Sequence, residues 1–135
     1  MKIITEFTDE NIKQVHQLFK QEWWCKDRTL EDTENCVRGS QVCIGLIDDN
    51  ENLIGFTRII SDFIYKAFIF DVIVLADYRG KGLGKKLMHF IENHHKLKHV
   101  KHFELYCLPE MEEFYASFGF STQVGGIKLM RSINA

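Results

Sequence analysis

Ala67-Phe-Ile-Phe-Asp-Val-Ile-Val-Leu75, followed without a break by Ala76-Asp-Tyr-Arg79-Gly-Lys-Gly-Leu-Gly84-Lys-Lys86, is the stretch on which the reading of this chain turns. Its first part is apolar except for Asp71, which predicts a central strand buried on both faces. Gly80, Gly82 and Gly84 then alternate with other residues, and Leu87, Phe90 and Ile91 recur at helical spacing. A helix is therefore predicted from about Lys85 to His94. Strand, glycine loop and helix start together form an anion-binding device. Glycine lets backbone approach a ligand without a Cβ clash. The free N–H groups of a helix start and the helix dipole favour phosphate oxygens. Arg79, Lys81, Lys85 and Lys86 add cationic donors at the same point. The ligand implied is a phosphate or pyrophosphate.

Two better-known phosphate loops do not fit. The pattern G-x-x-x-x-G-K-[ST] needs a wider glycine spacing and a hydroxyl after the lysine, whereas Lys85 is followed by Lys86. The pattern G-x-G-x-x-G, counted from Gly80, needs glycine where Lys85 stands.

Working outward, Lys2–Phe7 reads as a first strand. Thr8 caps a helix with Asn11 three residues later, and Ile12, Val15, Leu18 and Phe19 form its apolar stripe. Thr29 caps a second helix, Leu30–Arg38, with Glu31, Asp32 and Glu34 near its start and Gly39 at its end. Between the helices lies Glu22-Trp-Trp-Cys-Lys-Asp-Arg28. Gln41–Ile47 and Leu53–Ser61 form a hairpin around Asp48-Asp-Asn-Glu51. Beyond the glycine loop, His102–Cys107 predicts a strand, Pro109 starts a helix over Glu110–Ser117, and Ile127–Arg131 predicts a final strand closing the domain. The order β-α-α-β-β-β-α-β-α-β describes a single α+β (mixed α/β) domain over residues 1–135.

The chain has 135 residues, 45% hydrophobic and 27% charged, with eleven Phe, four Tyr and two Trp. That is a globular composition rather than a disordered one. The formal net charge of −2 does not suggest a nucleic-acid binder, and no apolar run approaches a bilayer span. No signal-peptide pattern opens the chain, and Cys25, Cys36, Cys43 and Cys107 show neither CxxC spacing nor disulfide density, so a cytoplasmic protein with reduced thiols is expected. The charge is unevenly spread. Arg79, Lys81, Lys85, Lys86, Lys96, Lys98 and Lys101 crowd one segment with Glu92 as its only acid, while residues 1–78 are acidic on balance.

Arg79-x-x-Gly82-x-Gly84 after Val72-Ile-Val-Leu-Ala-Asp-Tyr78 resembles the acetyl-coenzyme A signature of the GNAT superfamily of N-acetyltransferases, with Ala76 where a proline is usual. A second block supports this: Glu104-Leu-Tyr-Cys-Leu108 is a strand, and Phe114-Tyr-Ala-Ser-Phe-Gly-Phe120 matches the family's F/L-Y-x-x-x-G-F. Arg58-Ile-Ile-Ser-Asp62 and Asp71-Val-Ile-Val74 are similar to stretches of small bacterial members. The resemblance covers nearly the whole chain. It implies a central, mostly antiparallel sheet with a splayed strand pair, flanked by about four helices.

The same resemblance implies roles. Acetyl-CoA is the acetyl donor and no metal is needed. Backbone groups of Val72, Ile73 and Val74 would pair with the pantetheine arm, and the N–H groups of Arg79, Gly80, Lys81, Gly82, Leu83, Gly84 and Lys85 would hold the pyrophosphate. Tyr115 matches the tyrosine that protonates the departing thiolate. Asp71 is a candidate general base, equally open to a structural role. Trp23 and Trp24 would help wall the acceptor pocket. Asp62, Asp71 and the acidic first half point to a cationic acceptor. His94, His95, His99 and His102 lack a fixed zinc spacing. The expected activity is direct transfer of an acetyl group to a small primary amine. A protein N-terminus or lysine as acceptor, and a non-catalytic acyl-CoA sensor, stay open. Neither nucleic acid nor membrane is expected as a partner, and exposed sheet edges near the C-terminus point to a homodimer.

Overall fold

The computed structural model describes residues 1–134. Strands β1 (Lys2–Ile4), β2 (Val42–Ile47), β3 (Leu53–Ser61), β4 (Lys66–Val74) and β5 (His102–Leu105) form one sheet in the order β1-β2-β3-β4-β5. Every neighbouring pair is antiparallel except β4–β5, which is parallel. Helices α1 (Asp9–Lys20) and α2 (Leu30–Gly39) pack on one face, and α3 (Leu83–Glu92) packs on the other. A single turn, Pro109–Met111, leads into the short helix α4 (Glu112–Ala116).

The helix starts follow from their caps. Thr8 Oγ1 accepts from the Asn11 N–H at 3.1 Å while Asn11 Oδ1 accepts from the Thr8 N–H at 3.0 Å. Thr29 Oγ1 accepts from the Asp32 N–H at 3.0 Å. The stripe Ile12, Val15, Leu18 and Phe19 is buried against Phe56 and Ile73, forming one core. A second core on the α3 side holds Ile44, Leu46, Ile59, Ala67, Ile69, Leu87, Met88, Ile91 and Tyr115.

Two irregularities in β4 position the site. First, Ile73 pairs with Phe56 but Phe70 pairs with Arg58, so Asp71 and Val72 stand opposite Thr57 alone. This is a β-bulge, and Asp71 takes φ 57° within it. Ala67 and Ile69 belong to the α3-side core, whereas Ile73 belongs to the α1/α2 side. Strict alternation would put all three on one face, so the bulge turns the strand over. Second, β5 follows β4 only from Lys66↔His102 to Ile69↔Leu105, after which β4 runs on to Val74 paired with β3 alone. This is the splayed pair.

The strand expected over Ile127–Arg131 does not form. Those residues take no regular structure and pair with no strand, with Ile127, Leu129 and Met130 well exposed. Gly125 and Gly126 both take positive φ (70° and 80°) and turn the chain before it. An isolated strand without a neighbouring edge has nothing to pair its backbone groups. Among the described residues no helix is long and apolar enough to cross a membrane.

Candidate functional site

The loop after β4 is built to leave backbone donors free. A short turn over Ala76–Tyr78 precedes it, anchored where the Tyr78 hydroxyl donates to Asp48 Oδ2 at 3.0 Å. Gly80 and Gly82 take φ 78° and 80°, the left-handed region, with open space where a Cβ would stand. Gly82 is the N-cap of α3 and has no side chain to satisfy the first turn. The first bond of that turn is Lys86 N–H to Gly82 C=O at 3.1 Å. Among the described residues the N–H groups from Gly80 to Lys85 donate to nothing. Lys81, Lys85 and Lys86 are exposed around them. Gly84 differs from the other two. A methyl group there would lie 3.2 Å from Phe114 Cζ, so this glycine admits an aromatic ring rather than a ligand.

The open edge of β4 lies beside this loop. The Leu75 N–H donates to Ile54 C=O at 2.8 Å, and Phe56 pairs with Ile73. By ladder alternation the backbone groups of Ile73 turn toward β3, and those of Val72 and Val74 turn away from it. Ile73, grouped with Val72 and Val74 in the sequence reading, therefore offers no backbone group to that edge. The Val74 carbonyl is engaged already, accepting from Gln21 Nε2 at 2.8 Å and Arg79 Nε at 3.3 Å. Gln21 Oε1 in turn accepts from the Ala76 N–H at 3.1 Å. A second Arg79 nitrogen pairs with Glu22. The end of α1 thus clamps the end of β4.

Tyr115 is 8% exposed and sits in the α3-side core, against which Val72 and Val74 also pack. Its ring meets Phe114 edge-on at 5.0 Å and Phe120 at 6.3 Å. Burial, helped by the nearby Cys107 thiol, pushes its phenol up to about 12. The hydroxyl bonds to no described residue, yet among the described residues no buried side-chain oxygen or nitrogen lacks a partner, so it retains contact with solvent.

Asp71 is placed differently from a free base. Its Oδ2 accepts from Arg28 Nη1 at 2.8 Å and from Arg58 Nε at 2.7 Å, with the carboxylate side chain 3% exposed. Its carboxylate therefore serves as counter-charge to two guanidiniums. Arg28 stacks over Phe19 at 4.5 Å and lies 5.6 Å from the Trp24 ring. Trp24 thus borders the Arg28 side of the site, while Trp23 is 69% exposed. Asp62 caps its own turn, accepting from the N–H groups of Ile64, Tyr65 and Lys66, which holds its carboxyl below the usual range. Asp71, tied to two guanidiniums, is not free to receive a cation, whereas Asp62 is exposed and commits only its Oδ1 to the turn. His94 and His95 stack on each other at 4.9 Å, and among the described residues no group of three His, Cys, Asp or Glu could hold a metal ion.

Residues 6–120 match the model of the acetyltransferase (GNAT) family. The chain belongs to this family. It is accordingly an acyltransferase of the N-acetyltransferase kind. It is 32% identical over 123 residues to the uncharacterized N-acetyltransferase ycf52 of Pyropia yezoensis, a match spanning 89% of this chain and 70% of that one. Over 83 residues it is 34% identical to the histone acetyltransferase TAP1 of Glycine max, covering 62% of this chain and 36% of that one. Its fold superposes with a TM-score of 0.84 on the crystal structure of a GNAT-family protein from Xanthomonas campestris pv. campestris, at 27% identity, covering 98% and 93% of the two chains.

Some residues of this GNAT site carry little signal in the sequence. Gln21 is one polar residue among several at a helix end, and nothing local shows that it reaches β4. Arg58 does carry a trace: it is the one charged residue in a largely apolar strand, Leu53–Ser61. A lone arginine there calls for a buried counter-charge.

Proposed function

We propose that this GNAT member transfers the acetyl group of acetyl-CoA to a small primary amine by direct attack in a ternary complex. One observation carries the reading: the unpaired N–H groups from Gly80 to Lys85, at left-handed glycines, stand next to the unpaired edge of β4. The loop suits the pyrophosphate of the coenzyme, with Arg79, Lys81 and Lys85 beside it, and the edge of Val72 and Val74 suits an extended amide-bearing arm. The amine lone pair attacks the thioester carbonyl. The oxyanion takes the Val74 N–H, the carbon–sulfur bond breaks, and the Tyr115 hydroxyl gives its proton to the sulfur. The proton lost by the amine leaves through water toward the Val72 carbonyl. Asp71 enters as the carboxylate that holds Arg28 and Arg58 in place rather than as the base. Trp24, against Arg28, borders the acceptor side, and Trp23 extends that wall outward.

The setting is the cytoplasm, consistent with Cys25, Cys36, Cys43 and Cys107 all being unpaired thiols. The working form is a homodimer, which would cover the apolar C-terminal segment. The experiment is a panel of primary amines assayed for release of the coenzyme A thiol. Turnover with small amines is expected. Acetyl-CoA binding without turnover on any amine or on protein acceptors would identify an acyl-CoA-binding module instead.

A further inference from the structure

Arg28, Arg58 and Asp71 come from the α1–α2 connection, β3 and β4, and they meet on a single carboxylate oxygen. The cluster carries two positive charges and one negative. The nearest other carboxylates do not balance it: Glu22 pairs with Arg79, and neither Asp27 nor Asp32 bonds to either guanidinium. Arg58 spends Nε on Asp71 and makes a long contact of 3.5 Å from Nη1 to Ser40 Oγ. Its Nη2, and the Nε and Nη2 of Arg28, donate to nothing among the described residues. Those nitrogens are not sealed in, because among the described residues no buried side-chain nitrogen lacks a partner. The Arg58 side chain is only 14% exposed, and a guanidinium held that deep with a spare donor and a spare charge is uncommon without a counter-ion.

The surroundings limit which ion this can be. The cluster lies on the α1/α2 face, and the phosphate-suited loop opens α3 on the opposite face, so the coenzyme's own phosphates are not its counter-ion. It lies at the bulge, directly before Val72. One to three strand residues, roughly 3–10 Å along β4, separate Asp71 from the Val72–Val74 edge where transfer takes place. Aromatic rings wall it. The Phe70 ring lies 4.9 Å from the Arg58 guanidinium, with Tyr106 a further 5.9 Å from Phe70. Trp24 and Phe19 flank Arg28.

We infer that the acceptor amine carries an anionic group, a carboxylate or a phosphate a few atoms from its nitrogen, and that the spare donors of Arg58 and Arg28 receive it. This rests on the acetyl-transfer reading and names its acceptor class. The bulge serves that purpose: it turns Asp71 to the face where it can aim two guanidiniums, while the next residue still presents its backbone to the thioester. The aromatic walls exclude water and leave room for a short apolar body between amine and acid.

The test uses amine pairs that differ only in the anion: amino acids against their amides, and phosphate-bearing amines against the matching alcohols. Acceptors are compared by kcat/KM from thiol release. The anionic member of one pair type is expected to win by about tenfold or more, the value of a charge-assisted bidentate contact, and the winning pair type distinguishes carboxylate from phosphate. Arg28→Gln, which leaves Arg58 bonded to Asp71, is expected to bring the ratio within that pair most of the way to one, through KM. Equal or better turnover of the neutral members overturns the inference, as does an unchanged ratio in Arg28→Gln. Calorimetry with the N-acetylated acid and with its amide separates this from the parent reading. If no amine turns over but the acid binds and Arg28→Gln abolishes that binding, the anion subsite stands and acetyl transfer falls. If the acid does not bind, the inference fails whatever the turnover.

Discussion

Tyr115 keeps its proton because the apolar core around it disfavours the phenolate, and the same physics raises any thiol released beside it. An acid pushed up to about 12 is fully protonated throughout an ordinary assay range, so its availability does not limit the rate on the alkaline side. The sign follows directly: the competent form is the protonated one, and it is lost only as pH rises toward 12. The wild-type kcat is therefore expected to show no fall as the pH rises to about 10, and to climb toward that side as more of the amine loses its proton. Tyr115→Phe is expected to lower kcat by about 100-fold while leaving acetyl-CoA affinity nearly intact. Stopped assays of thiol release across pH, with calorimetry for the coenzyme, check both halves. An unchanged kcat in the Phe variant would remove the acid role.

At the scale of the element, the three glycines after β4 separate into two kinds. Gly82 caps α3 in a left-handed conformation that a side chain adopts at a cost of about 1–2 kcal/mol, and a side chain there would stand among the free N–H groups. Gly84 is inside the helix, where alanine gains about 1 kcal/mol in propensity but crowds Phe114. Gly82→Val is expected to weaken acetyl-CoA binding tenfold or more by calorimetry. Gly84→Ala is expected to appear first in the melting temperature, through Phe114. Similar losses of affinity in both would mean the loop does not act as described. Much at this scale was legible beforehand. Caps at Thr8 and Thr29, the hairpin at Asp48, the apolar run of β4 and the glycine loop are local signals, and each element forms within a few residues of its expected position. The bulge was not legible. Asp71 in the left-handed region interrupts no periodicity in an apolar run, so only the register shift between Phe56 and Arg58 reveals it. Arg28 and Arg58 meeting on Asp71 was hidden for a related reason: residues 28, 58 and 71 are joined only by tertiary packing, and a strand aspartate alone looks as much like a base as like a counter-ion.

At the scale of the whole molecule, a net charge of −2 averages a basic loop-and-helix segment with an acidic remainder, a division already visible in the sequence. What a single chain could not show is where its last apolar segment belongs. Ile127, Leu129, Met130 and Ile133 are 76%, 62%, 91% and 92% exposed, more apolar surface than a short tail ordinarily leaves to water. Beside β5, whose far edge pairs with no described strand, Phe103, Phe118, Phe120, Ile69 and Ile91 line a hollow of about 440 Å³. Ser121, Gln123 and Val124 reach that hollow, the chain turns at Gly125 and Gly126, and the residues from Ile127 onward pair with no described strand. A second copy related by a two-fold axis resolves both problems at once, since each tail would meet the other's free edge in an isologous contact. Sedimentation velocity at tens of micromolar is expected to give a dimer. Removing residues 122–135 is expected to give a monomer that still binds acetyl-CoA, because the glycine loop and the Val72–Val74 edge lie wholly within the remaining chain. Leu129→Asp should act in the same direction with the chain length unchanged. A wild-type monomer at that concentration, or a dimer indifferent to both changes, would remove the tail from the interface.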